Sequence, residues 1–86
     1  MADHASAKKR IRRNERRAEI NTARRSRLRS FLKKVETEIT SGNSADAKEA
    51  LRLAQKELFK SVSKGILRKE TASRKLSRLS ARVKAI

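Results

Sequence analysis

The sequence predicts an all-α protein: an antiparallel three-helix bundle whose long, basic N-terminal helix extends beyond the bundle. Three observations carry that reading. The chain contains no Pro and only two Gly, Gly42 and Gly65, so its strongest breakers divide it into three segments. Each segment is rich in Ala, Arg, Lys, Glu and Leu, which favour helix. Each also carries an apolar stripe at helical spacing, and none shows sustained strand alternation.

The first segment has two parts. Leu28, Phe31, Leu32, Val35 and Ile39 form one apolar stripe in its second half. From Ser6 to Arg27 only Ile11 and Ile20 are large and apolar, yet nothing breaks the helix between the halves. One helix from about Ser6 to Ser41 follows, packed at its C-terminal end alone. The chain then reads as one domain, 1–86, with a basic extension over 1–27 and a bundle over 28–86. The extension has no partner within the chain, so it should fray unless a ligand holds it.

The middle segment is the clearest helix. Ala47, Leu51, Ala54, Leu58 and Val62 step by four, three, four and four along one face. Asn43 or Ser44 can cap its start, and Asp46 suits the positive end of the helix dipole. Lys60 and Lys64 stand in the last turn, and Gly65 can take the left-handed closing position. In the third segment Ala72, Leu76, Leu79, Val83 and Ile86 repeat the pattern. Thr71 is the candidate cap, and Ile66 and Leu67 lie in the connection, where they pin it to the core. Phe31 and Phe59 lie on or beside apolar stripes and read as core. Glu36 and Glu38 read as balancing Lys33 and Lys34 on the helix surface.

The formal charge is +16 and the sequence pI is about 11.6. That charge is uneven. Residues 1–34 carry a net +10, residues 35–65 are neutral, and residues 66–86 carry +6. From Lys8 to Arg29 there are nine Arg and two Lys against Glu15 and Glu19. Like charges on all faces of a helix weaken it, which points to a polyanion as the neutralising partner. Arg suits that role, because its planar fork binds phosphate bidentately. The candidate contacts in the long helix are Lys8, Lys9, Arg10, Arg12, Arg13, Arg16, Arg17, Arg24, Arg25 and Arg27. In the third helix they are Arg74, Lys75 and Arg78, with Ser73, Ser77 and Ser80 interleaved. Two basic surfaces, one extended and one compact, suit two nucleic-acid segments. Charge by itself does not tell DNA from RNA.

Several function classes fall away. Cys is absent, which removes disulfides and thiolate metal sites. The longest apolar run is two residues, so no membrane span or secretory signal is expected. Residues 4–30 have the Arg- and Ser-rich character of a transit peptide but almost no apolar face, and the basic character returns in the third helix. His4 is the one histidine, and no paired carboxylates, Gly-rich phosphate loop or nucleophile motif accompanies it. No catalytic residue, cofactor, metal or small-molecule substrate is expected. Thr22-Ala23-Arg24-Arg25-Ser26-Arg27 looks like part of a basic-leucine-zipper reading region. Glu19 stands where that family has its base-reading Asn, and Gly42 and Asp46 interrupt the heptads. An architectural DNA-binding protein of the basic helical type remains the alternative.

A further set of residues resembles a known family. Ser6-Ala7-Lys8-Lys9-Arg10, Asn21-Thr22-Ala23-Arg24-Arg25-Ser26, Lys33-Lys34-Val35, Lys64-Gly65-Ile66-Leu67 with Lys69, and Ala72-Ser73-Arg74-Lys75-Leu76-Ser77-Arg78-Leu79 resemble the bacterial ribosomal small-subunit protein S-twenty family, in order and over nearly the whole chain. Glu70 departs from the pattern, where a neutral or basic capping residue stands in the family. The resemblance implies a three-helix bundle that binds 16S ribosomal RNA directly in the cytoplasm and helps it assemble, with the long helix among RNA helices of the 5′ domain and the protein also near the long penultimate stem of the 3′ minor domain. It implies Lys8, Lys9, Arg10, Arg13, Arg17, Arg24 and Arg25 as binders, with Arg74, Lys75 and Arg78 on the second surface. No homo-oligomer is expected.

Overall fold

A computed structural model describes residues 2–86, with the side chains from Ala5 onward. It contains three helices: α1 (Ala2–Ser41), α2 (Ser44–Ser63) and α3 (Lys69–Lys84). No strand occurs among the described residues. The helices run up, down and up, so α2 is antiparallel to both neighbours. The molecule measures 64 × 22 × 14 Å. Its long axis is α1 itself, since the 40 residues of that helix span about 60 Å at 1.5 Å each.

The two glycines end α1 and α2 as their positions predict. Both have φ of +76°, in the left-handed region. At Gly65 the closure is a Schellman motif. The Ile66 amide donates to the Ser61 carbonyl at 2.9 Å and the Gly65 amide donates to Val62 at 3.1 Å. Asn43, the first of the two candidate caps, is the N-cap of α2. Its Oδ1 accepts from the Asp46 amide at 3.2 Å, and its Nδ2 donates to the Asp46 carboxylate at 2.7 Å.

Three expectations about element ends need correction. Helix α1 starts at Ala2, ahead of Ser6. Helix α3 starts at Lys69 with Arg68 as N-cap and no side-chain cap, so Thr71 lies inside the first turn. Its apolar stripe ends at Val83: Ile86 lies beyond the helix and is exposed.

The core is built as the stripes specify. Val35 and Leu58 are fully buried. One cluster joins Val35 with Ala47, Ala50, Ala54, Leu79 and Val83, flanked by Phe31, Leu32, Ile39 and Leu51. A second joins Leu28, Leu58 and Ala72, flanked by Val62, Leu67 and Leu76. Small residues at 47, 50, 54 and 72 let the backbones approach closely where α2 meets its neighbours. Phe59 is not core. It is 55% exposed, on the face of α2 that carries Arg52 one heptad earlier. Glu57 and Ser61 are buried instead, on the side of α2 turned to α1. Residues 5–20 of α1 are exposed throughout, so the long helix leaves the bundle with no apolar face in use.

Candidate nucleic-acid interface

The candidate cations fall into three groups. Lys8, Lys9, Arg10, Arg12, Arg13, Arg16 and Arg17 lie on the exposed half of α1. Nothing in the bundle approaches them, and the structure brings no second element to their side. None of them forms an ion pair among the described residues, although Glu15 and Glu19 share their helix. The His4 side chain lies outside the described residues.

The second group stands where α1 enters the bundle. Arg24 is half-buried, and Arg25 and Arg27 are exposed. The helical period sends them to two sides of α1. Arg24 and Arg27 face α2, where they share a cleft with Lys60, Lys64, Ser61 and Glu57. Arg25 faces the start of α3, where it shares a cleft with Arg29, Lys75 and an apolar floor of Leu28, Leu32, Ile66 and Leu67. Arg27 is not a free cation. Its Nη2 donates to Glu57 Oε1 at 3.2 Å, and its guanidinium carbon sits 5.4 Å from the centre of the Phe31 ring.

The third group is on α3. Arg74, Lys75 and Arg78 are exposed. Lys75 and Arg78 border a groove of about 290 Å³ against α1, together with Leu32, Glu36, Leu79 and Arg82. Arg74 is in neither cleft. Arg82 continues the line of Arg74 and Arg78, but its Nη1 lies 3.4 Å from Glu36 Oε1. Glu36 therefore pairs across to α3, and the expected balance with Lys33 and Lys34 is not what it provides.

Folding also recruits cations that were absent from the candidate set. Lys60 and Lys64 look in sequence like ordinary last-turn residues of α2, and Arg29 like one more charge in a run. Antiparallel packing of α2 on α1 brings Lys60 and Lys64 beside Arg24 and Arg27. The usable signal is the Gly65 stop: it fixes which end of α2 meets the basic half of α1. The outer face of α2 is self-neutralising by comparison. Arg52 bonds Glu49 at 2.6 Å, and that bond holds the Glu49 carboxylate below the usual carboxylate range.

Positive charge thus covers one end of the bundle and the whole projecting helix, while the far end of α2 is balanced. Residues 2–84 match the family described as Ribosomal protein S20. The chain belongs to that family. The S20 match covers all three helices, and full-length relatives agree with it. The small ribosomal subunit protein bS20 of Dinoroseobacter shibae is 65% identical over 86 residues, covering 100% of this chain and 98% of its own. The bS20 of Paracoccus denitrificans is 58% identical over 86 residues, with 100% and 97% covered. That of Paramagnetospirillum magneticum is 62% identical over 84 residues, with 98% and 93% covered. S20 membership also answers the leucine-zipper likeness: α1 ends at Ser41, and its apolar stripe is satisfied within the chain. No helix among the described residues is long and apolar enough to cross a membrane.

Proposed function

We propose that this protein binds 16S ribosomal RNA directly, as a structural constituent of the small ribosomal subunit in the cytoplasm, and helps the RNA fold and assemble by neutralising and bridging its segments. It is a structural component of the ribosome, as its family membership indicates, and not an enzyme. The observation that supports RNA contact is the projecting half of α1: residues 5–20 are exposed on every face and carry seven cations, none of them in an ion pair among the described residues. A helix with that charge and no apolar face has nothing to bury against protein or lipid. A phosphate backbone on several sides satisfies it.

Two further points support bridging. The cations at the bundle entrance lie in two clefts on opposite sides of the α1 core face, so two RNA strands can be held without competing for one surface. The binding groups are Arg, Lys and Ser, with no base-stacking aromatic among them. That suits A-form RNA, whose deep, narrow major groove leaves shape, phosphate and 2′-hydroxyl as the readable features.

The test is titration of a 16S fragment with the wild type and the Arg24→Ala/Arg25→Ala double variant at several salt concentrations. Affinity falls and the salt slope flattens by about 0.7–0.9 for each phosphate that is no longer neutralised. Unchanged affinity and slope would remove the entrance of α1 from the binding surface. Equal affinity for duplex DNA of the same length would favour the architectural DNA-binding reading.

A further inference from the structure

Glu57 is the anomaly of this molecule. In a chain of net charge +16, one of its nine acidic groups is placed almost out of water. Its side chain is 11% exposed, and it sits in the α1–α2 cleft among the cations. Burying a carboxylate is costly unless it is paired. Here it is paired twice: Arg27 Nη2 is 3.2 Å from Glu57 Oε1, and Lys60 Nζ is 3.7 Å from the same oxygen. Arg24 and Lys64 line the same cleft, which has a volume of about 150 Å³. Four cations therefore surround one carboxylate, and an excess of positive charge remains in a partly enclosed space.

Arg27 is restrained from two directions. Glu57 accepts one of its hydrogen bonds, and the Phe31 ring lies 5.4 Å from the guanidinium carbon. The guanidinium has five N–H donors, so most of them remain available. A long surface side chain normally loses rotamer freedom when it grips a ligand, and prior restraint removes part of that cost.

We infer that the cleft between α1 and α2 is a preorganised site for one backbone phosphate of the bound RNA, with Glu57 as the positioning residue that holds Arg27 and Lys60 toward it. The inference rests on the RNA-binding reading and specifies which groups make one of its contacts. Arg27 and Lys60 supply the donors, and Arg24 and Lys64 supply the surrounding field. Glu57 does not touch the phosphate; its carboxylate would repel it. Its contribution is geometric and exceeds that repulsion.

This gives opposite signs for two otherwise similar substitutions. Glu57→Gln removes one negative charge from a protein that binds a polyanion, and charge counting requires tighter binding. Loss of positioning requires weaker binding. Glu49→Gln removes the same charge from the exposed Arg52 pair and serves as the charge control. The measurement is the affinity of the full-length protein for a 16S fragment by filter binding across a salt series, with the helical signal and melting temperature of each variant recorded. Glu57→Gln is expected to weaken binding about tenfold, while Glu49→Gln leaves it equal or tighter. Arg27→Lys keeps the charge but removes the fork, and it weakens binding with the salt slope unchanged. Arg27 is 63% exposed, so this second variant keeps the test available if Glu57→Gln does not fold. Equal or tighter binding by Glu57→Gln, or by Arg27→Lys where the Glu57 variant is unfolded, overturns the inference. If the wild type itself shows no salt-dependent affinity for the 16S fragment, the RNA-binding reading falls with it, whereas wild-type binding by Arg24→Ala/Arg25→Ala as well removes the whole entrance of α1 from the binding surface. If that double variant alone is weakened, only the Glu57 site is rejected.

Discussion

Glu36 and Arg82, 46 residues apart, meet across the α1–α3 groove with Oε1 and Nη1 3.4 Å apart. Their pair is the one ion pair joining those two helices among the described residues. Both side chains are at least half exposed, so water and salt screen the attraction. Glu36→Gln should therefore shift unfolding stability by no more than about 0.5 kcal/mol. It should also free Arg82 to join Arg74 and Arg78 and tighten RNA binding. A urea melt and an RNA titration check the two halves of that statement. A stability loss well beyond that bound would mean that the pair holds α3 in place.

The start of α2 depends on one side chain. Asn43 satisfies the Asp46 amide and bonds the Asp46 carboxylate, whereas Ser44 is already the first residue of the helix. Asn43→Ala should cost about 1 kcal/mol, within the range for N-cap removal. Ser44→Ala should stay within about 0.5 kcal/mol. Denaturant midpoints of the two variants, measured side by side, separate the two candidate caps. Similar losses for both would show that the Asn43 bonds do not dominate the cap.

Adjacent residues on α2 give the sharpest contrast in packing. Leu58 is fully buried between α1 and α3, and Phe59 is 55% exposed. Leu58→Ala should cost about 2–5 kcal/mol, since it removes apolar packing and leaves a cavity. A core this small contributes only a few kcal/mol net, so much of that variant should be unfolded without RNA. Phe59→Ala should change stability by less than about 1 kcal/mol. Circular dichroism melts decide it. A large loss at Phe59 would mean that the ring packs on the bundle.

The contrast also shows what the sequence displays and what it conceals. Gly42 and Gly65 mark both turns because only their left-handed φ is needed there, a local requirement that leaves a local trace. The stripe from Leu28 to Ile39 is legible because its large apolar residues recur at helical spacing along one arc of α1. Helix α2 lies against two helices, so its buried arc is wider than one stripe. That arc takes in Ala50, Glu57 and Ser61, of which two are polar and look like surface. Phe59 looks apolar and is surface, because solvent faces the position whatever occupies it. The basic half of α1 is visible as charge alone. The clefts at Arg24–Lys60 and Arg25–Lys75 are not, since they join residues more than 30 positions apart through antiparallel packing. The uncapped start of α3 at Arg68 carries no mark, because its N-cap side chain makes no hydrogen bond.

The projecting helix should be separable from the bundle. Residues 5–20 pack on nothing, so deleting residues 2–19 leaves every core side chain and both turns in place. The unfolding midpoint of the shortened chain should stay within about 0.5 kcal/mol of wild type. RNA binding should not survive as well. The deletion removes Lys8, Lys9, Arg10, Arg12, Arg13, Arg16 and Arg17. If all seven meet phosphates, the salt slope falls by about 5, at roughly 0.7 per phosphate. A smaller drop counts how many of them engage. Unfolding of the shortened chain at a markedly lower midpoint would show that the extension supports the bundle. An unchanged salt slope would show that the projecting cations meet no phosphate, and would move the RNA-binding surface to the clefts at the bundle entrance.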